Sequence, residues 1–179
     1  MTDHGWKKWE VIGLLLVLAA GNLLHFVYEW SGKNPIVAAV SGVNESPWEH
    51  MKLLAVPWIV WSLVEFIVLR RSRLPVLAAR AAGLLIGVAA IPLLYYGYTG
   101  VTGQNISLVN IVIFQLAVLA AFGVSWLVLD RRWFCGLFWQ ILGGTVLAGA
   151  LAMFVWWTYQ PPQLPVFTDP VTQQRGMAE

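Results

Sequence analysis

Five long apolar runs set the pattern of the chain, at roughly 9–28, 48–69, 79–98, 106–129 and 134–157, and short polar stretches divide them. Each holds about 20 residues or more. At 1.5 Å per residue, that length crosses the ~30 Å hydrocarbon core of a bilayer. The pattern predicts an all-α fold: a polytopic membrane protein built as a five-transmembrane-helix bundle. Residues 1–179 then form a single integral membrane domain, with 158–179 as an extended C-terminal tail. Pro57 and Pro92 lie inside the second and third runs, and an interior proline predicts a kink.

The breaks between runs are informative too. Ile36 to Val40 is apolar but too short to cross, which suits a re-entrant or interfacial piece. The third run closes on Tyr95-Tyr96-Gly97-Tyr98, an aromatic belt before a glycine-rich loop from Thr99 to Asn105. In the fifth run, Gly143, Gly144, Ala148, Gly149 and Ala152 permit close helix approach and suggest a homo-oligomer through that small-residue face. The tail carries Pro161, Pro162, Pro165 and Pro170, so it is not regular helix. Leu164, Val166 and Phe167 interrupt the prolines, so an extended segment could fold back as a lid.

Basic residues fix an expected orientation. Lys7 and Lys8, then Arg70, Arg71 and Arg73, then Arg131 and Arg132 fall at one end of the predicted bundle. The positive-inside rule assigns that end to the cytoplasm, so the N-terminus is in and the C-terminus out. The decapeptide Val43 to Lys52, the loop after Tyr98 and the tail then share the non-cytoplasmic face of the inner (plasma) membrane.

Composition agrees. The chain is 59% hydrophobic and 11% charged, with a mean hydropathy of +0.69, so its principal partner is the lipid bilayer. The net charge of +2 does not point to a polyanion ligand: the basic residues sit at helix ends, so no nucleic-acid partner is expected. The first run lacks a small-x-small cleavage site and reads as a spanning helix rather than a removable signal. The single cysteine, Cys135, lies in an apolar run and is expected to pack. Of eleven tryptophans, Trp6, Trp9, Trp30, Trp48, Trp133, Trp156 and Trp157 fall at predicted interfaces, as anchors do.

Candidate chemistry concentrates between residues 22 and 52. Ser46-Pro47-Trp48-Glu49 has the form of a capping box, with Ser46 at the N-cap and Glu49 three residues on. Capping leaves Asn44, Glu45 and His50 unexplained. On the first helix Asn22, His25 and Glu29 form one stripe. Ionisable groups at membrane depth pair, line water or do chemistry. His25, Glu29, Glu45, Glu49 and His50 are donors that suit a divalent metal such as zinc, iron or manganese, although no established ligand spacing is present. The same groups could instead move protons as acid and base. As a catalytic set, His25 or His50 would accept a proton or bind the metal, Glu29, Glu45 and Glu49 would act as ligands or acid–base partners, and Asn44 would orient. The structural alternative is an ion network in which Lys52 neutralises Glu49 or Glu29. Glu65 is expected to pair with Arg80 or Arg70. Ser107, Asn110 and Gln115 make either interhelical hydrogen bonds or a polar wall of the same cavity.

The motifs His25-Phe26-Val27-Tyr28-Glu29-Trp30 and Val43-Asn44-Glu45-Ser46-Pro47-Trp48-Glu49-His50, with Tyr95 to Gly100 and the proline-rich tail, resemble an uncharacterised bacterial five-helix membrane family, a domain of unknown function. The resemblance covers nearly the whole chain and implies the fold and the motif set, but no activity. That family tends to carry an acidic residue at the position of Asn110, and a Gly-x-Tyr-Gly-like run where this chain has Gln173 to Gly176.

Three classes of function use these residues differently. A surface enzyme, a hydrolase or transferase by its donor set, needs the imidazoles and carboxylates to meet in one outer hollow. A small transporter or channel needs a polar track from His25 inward to Glu65. An accessory subunit needs neither, and alanine at His25 would then cost stability alone.

Overall fold

The computed structural model describes residues 5–69 and 74–177. They form six α-helices: α1 Gly5–Trp30, the short α2 Pro35–Ala38, α3 Pro47–Leu69, α4 Val76–Thr102, α5 Ser107–Arg131 and α6 Leu137–Tyr159. A 3-10 turn at Pro165–Phe167 follows. Five of the helices are long and apolar enough to cross a membrane, so the chain is an all-α, five-helix membrane bundle. Both α3 and α4 continue through their interior prolines, Pro57 and Pro92.

The ends of these helices follow local chemistry. Asn34 caps α2, its side chain accepting from the Ile36 amide at 2.9 Å. The glycine-rich loop expected from Thr99 is helical as far as Thr102. The helix stops at Gly103, which takes a left-handed conformation (φ 66°) and donates its amide to the Thr99 carbonyl. At the far end of α5, Arg132 caps in the same left-handed conformation. Cys135 lies in the turn that follows. Contrary to the packing expected from its neighbours, it is exposed, and its thiol reaches the Arg132 carbonyl. The apolar run breaks there because Arg132 and Phe134 both adopt positive φ.

Helix α3 is the most enclosed element at its N-terminal half, where Leu54, Ala55 and Trp58 are fully buried. It packs on α1, α4, α6 and the 3-10 turn. The most extensive helix contact is α4 on α5. Gly83 and Gly87 of α4 face Ala117 and Ala121 of α5. A Cβ on Gly83 would come within 2.6 Å of the Ala121 carbonyl, and one on Gly87 within 2.9 Å of the Ala121 methyl. Small residues four apart on both helices let the backbones approach, and dispersion does the rest in a solvent as apolar as the core. Part of the small-residue face of α6 is used in the same way: Gly143 lies against the backbone of Leu77 in α4, while Gly149 faces open space.

The C-terminal ends of α1, α4 and α6, the N-terminal ends of α3 and α5, and the tail gather at one end of the bundle. At that end Phe167 is buried against Trp48 (ring centroids 4.4 Å apart) and Trp157 (5.6 Å). Trp48 also stacks on Phe154 at 4.5 Å. It is therefore an interior anchor for the tail rather than the interfacial residue its sequence position suggested.

Candidate functional site

The segment that carries the site, residues 42–46, has no regular structure and is held from several sides. The Ser46 hydroxyl accepts from the Glu49 amide at 3.3 Å, the first half of the expected capping box. The second half differs. Glu49 does not reach back to Ser46; its carboxylate accepts from the Val43 amide at 3.1 Å. Asn44 takes its place, with Oδ1 accepting from the Ser46 amide at 2.9 Å. The Asn44 amide group in turn donates to the Gly176 carbonyl in the tail, also at 2.9 Å.

Asp169 closes the arrangement. Its carboxylate accepts from the amides of Val171 (2.7 Å), Thr172 (3.2 Å) and Glu45 (3.3 Å). Burial alone would push the Asp169 carboxyl up, but these backbone donors outweigh it and hold the group below the ordinary aspartate value. An anion in the tail thus fixes the backbone of the very residue whose side chain points to the two histidines.

Those three side chains converge. Glu45 Oε1 lies 3.4 Å from His25 Nε2, and Glu45 Oε2 lies 3.8 Å from His50 Nε2. The imidazole centroids are 5.6 Å apart. Among the described residues, these three form a group whose ligand atoms all lie within 4.8 Å of one another. The hydrogen bond from His25 holds the Glu45 carboxyl below the usual glutamate range, against a smaller opposing effect of burial. His50 Nδ1 lies 3.0 Å from the Ser46 carbonyl oxygen, which can only accept. That contact therefore places the ring proton on Nδ1 and leaves the Nε2 lone pair facing Glu45.

The other candidates lie elsewhere. Glu49 is buried and pairs with Lys52 at 2.6 Å. The Lys52 ammonium also donates to the Ala38 carbonyl at 2.9 Å and to the Thr158 hydroxyl at 2.8 Å. This cluster ties α2, α3 and α6 together beneath the site. Glu29 is exposed and faces Lys33 at 3.9 Å, on the rim. Asn44 orients backbone, as described. Asp169 and the Ser46 carbonyl are the site-supporting groups that the sequence pattern did not single out. The acid in the tail's Thr168-Asp169-Pro170 was the available signal, since Asp before Pro is a turn former whose carboxylate accepts local amides.

Two cavities meet at Glu45. The outer one, about 380 Å³, is polar and runs from His25 and Glu29 past Asn44 to Asp169 and Thr172. The inner one, about 250 Å³, is amphipathic: Phe26, Leu53, Ile111 and Phe114 on one side, with His25, His50, Asn105 and Asn110 on the other. Its polar wall is preset by hydrogen bonds. The Tyr98 hydroxyl donates to Asn110 Oδ1 at 2.6 Å, and Asn110 donates to Asn105 at 2.8 Å. Deeper in, Gln115 donates to Asn22 at 3.1 Å.

The chain belongs to DUF6512, a family of unknown function whose sequence profile matches residues 2–177. No curated protein and no solved structure matches it.

Proposed function

From that family membership, which carries no activity with it, we propose that the chain is a membrane metalloprotein holding one divalent first-row ion between His25, Glu45 and His50. The centre faces the non-cytoplasmic side of the plasma membrane and serves a molecule that enters the amphipathic cavity. One observation carries the reading: a carboxylate bridges two imidazole nitrogens, and one of those imidazoles is locked in the metal-binding tautomer by a backbone carbonyl. Three protein ligands of the type His2Glu are the donor set of open, catalytic zinc sites. Zn–N and Zn–O bonds of ~2.0–2.1 Å put tetrahedral ligand atoms roughly 3.4 Å apart, and the three ligand atoms here, all within 4.8 Å of one another, draw together to reach it. When bound, such an ion supplies Lewis acidity and an acidified water, which favours hydrolysis or group transfer.

The chain's own residues complete the site. Asp169 keeps Glu45 in place through the backbone. Asn105 and Asn110 offer fixed polar contacts, and Phe26, Ile111 and Phe114 take the apolar part of a substrate. A channel reading is disfavoured by the middle of the bundle. Leu54, Trp58, Ala117, Val118 and Ala121 are buried there and separate this site from Glu65.

The test is metal analysis of detergent-purified protein equilibrated with zinc and then freed of excess. About one zinc per chain is expected in the unmodified protein. Occupancy should fall at least tenfold in His25→Ala, Glu45→Gln and His50→Ala, and stay unchanged in Glu29→Gln. Absence of retained metal in the unmodified, folded protein overturns the proposal.

A further inference from the structure

At the other end of the bundle, two carboxylates converge on one guanidinium. Glu10 of α1, Glu65 of α3 and Arg80 of α4 are all fully or almost fully buried. Glu65 Oε2 takes both Nε and Nη2 of Arg80. Glu10 Oε1 lies 3.2 Å from Arg80 Nη2 and accepts from the Ser125 hydroxyl of α5 at 2.9 Å. The guanidinium lies against the edge-to-face pair of Trp58 and Phe122, 4.9 Å from each ring. The Trp58 indole donates to the Arg80 backbone carbonyl rather than to either acid.

Among the described residues the charges of this cluster do not balance. With all three groups ionised, the cluster carries a net negative charge inside a membrane bundle. Among the described residues, no second cation faces it. On α1, Lys7 lies over the Trp6 and Trp126 rings and Lys8 over Trp9. From α5, the group presented is the uncharged Ser125. An uncompensated buried charge costs several kcal/mol, and a carboxylate escapes that cost by taking up a proton.

We propose that Glu10, Glu65 and Arg80 form a proton-binding site in the membrane interior, with the exchangeable proton held on Glu10. The two acids are not equivalent. Glu65 has the two-pronged contact to Arg80 that suits an anion. Glu10 has a single contact to it; each acid keeps one buried oxygen with no hydrogen-bond partner, Glu65 Oε1 and, on the more weakly held acid, Glu10 Oε2. That bare oxygen is where a carboxylic O–H sits without disturbing any existing bond. Glu10 also lines a groove of about 200 Å³ between α1 and α5, with Val11, Leu119, Phe122 and Gly123. The groove opens on the lateral surface of the bundle, so Glu10 lies at the edge of the packed interior, and Glu65 does not line it.

Infrared difference spectroscopy on protein reconstituted in phosphatidylcholine vesicles, titrated through neutral pH, reads this directly. The unmodified protein should show a carboxylic-acid C=O band that converts to carboxylate on alkalinisation. The band should vanish in Glu10→Gln. It should vanish as well in Glu65→Gln, where a single remaining carboxylate balances Arg80 and stays ionised. Both variants keep the side-chain shape, and a cooperative thermal transition confirms their fold. No titrating band in the unmodified protein overturns the proposal, as does a band that persists in either folded variant.

Discussion

At the scale of single residues, the polar groups inside this bundle divide by whether their bonding capacity is filled. Lys52 has three N–H donors and three acceptors: Glu49, the Ala38 carbonyl and Thr158. Nothing is left over for a ligand, so the pair is a structural clamp even though Glu49 lies one residue from His50. Removing one partner of a buried pair strands the other. Lys52→Met is therefore expected to destabilise the protein by roughly 3–5 kcal/mol. Adding Glu49→Leu should recover much of that loss, because two apolar groups replace two charges. Thermal unfolding in detergent measures both. A single variant as stable as the unmodified protein would contradict the clamp. His25, Glu45 and His50 are the opposite case. They are part-exposed, face two cavities and bond mainly to one another through Glu45, so an incoming ion can take the place of those contacts.

At the scale of elements, the tail acts as a component of the site. Phe167 packs against the Trp48–Trp157 pair, and two residues later the chain turns on Asp169, whose carboxylate holds the Glu45 backbone. Phe167→Ala should remove about 3 kcal/mol or more of docking energy and expose the tail to protease. Asp169 makes docking pH-dependent, and the sign follows from its depressed folded value. Its contribution is complete above the ordinary aspartate value of 3.8 and is lost as pH falls through the lower, folded value. Tryptophan fluorescence from Trp48 and Trp157 should therefore change on acidification below that ordinary value. Asp169→Ala should show the acid-like spectrum at neutral pH. A spectrum insensitive to the substitution would mean that Phe167 alone secures the tail.

The same element shows what was legible in the sequence. The five spans follow from apolar run length alone, because a bilayer imposes one length on every crossing helix. The decapeptide stood out because its polar density had no apolar excuse. Its internal wiring did not. A capping box read from Ser46 and Glu49 is a local pattern, whereas the exchange of the Ser46 amide donor for that of Val43, and the lysine that Glu49 gained, were decided by the loop before α3 and by packing of α3 on α6. The triad joins α1, a loop and α3 over some 25 residues of chain, so no spacing rule contains it. Glu10 was passed over because it sits one turn inside an interfacial Trp-Lys-Lys-Trp start, where an acid looks solvated. Its burial depends on Arg80 arriving from α4. The Gly83-x-x-x-Gly87 spacing was readable as well, and it marks a contact as close as the one Gly143 of the fifth run makes with Leu77.

At the scale of the whole molecule, function depends on which end faces which compartment, and the chain carries its own reporter. Cys135 is the sole cysteine, its side chain is exposed, and it lies in the turn between α5 and α6 at the end opposite the triad. Basic residues crowd that same end, at Lys7 and Lys8 and at Arg131 and Arg132, and the positive-inside rule predicts a cytoplasmic position for it. A membrane-impermeant maleimide should therefore leave Cys135 unlabelled in intact spheroplasts and label it after the membrane is opened. In a variant with Cys135→Ser and a new cysteine replacing Val171, an exposed tail residue on the cavity rim, the pattern should invert, with labelling already full in intact cells. Equal labelling of Cys135 before and after permeabilisation would turn the bundle over. The triad would then face the cytoplasm, and Glu10 and Arg80 would draw their proton from the outside. The two cysteine positions report on opposite ends of one rigid helical bundle, so agreement between them fixes the direction of both proposed sites at once.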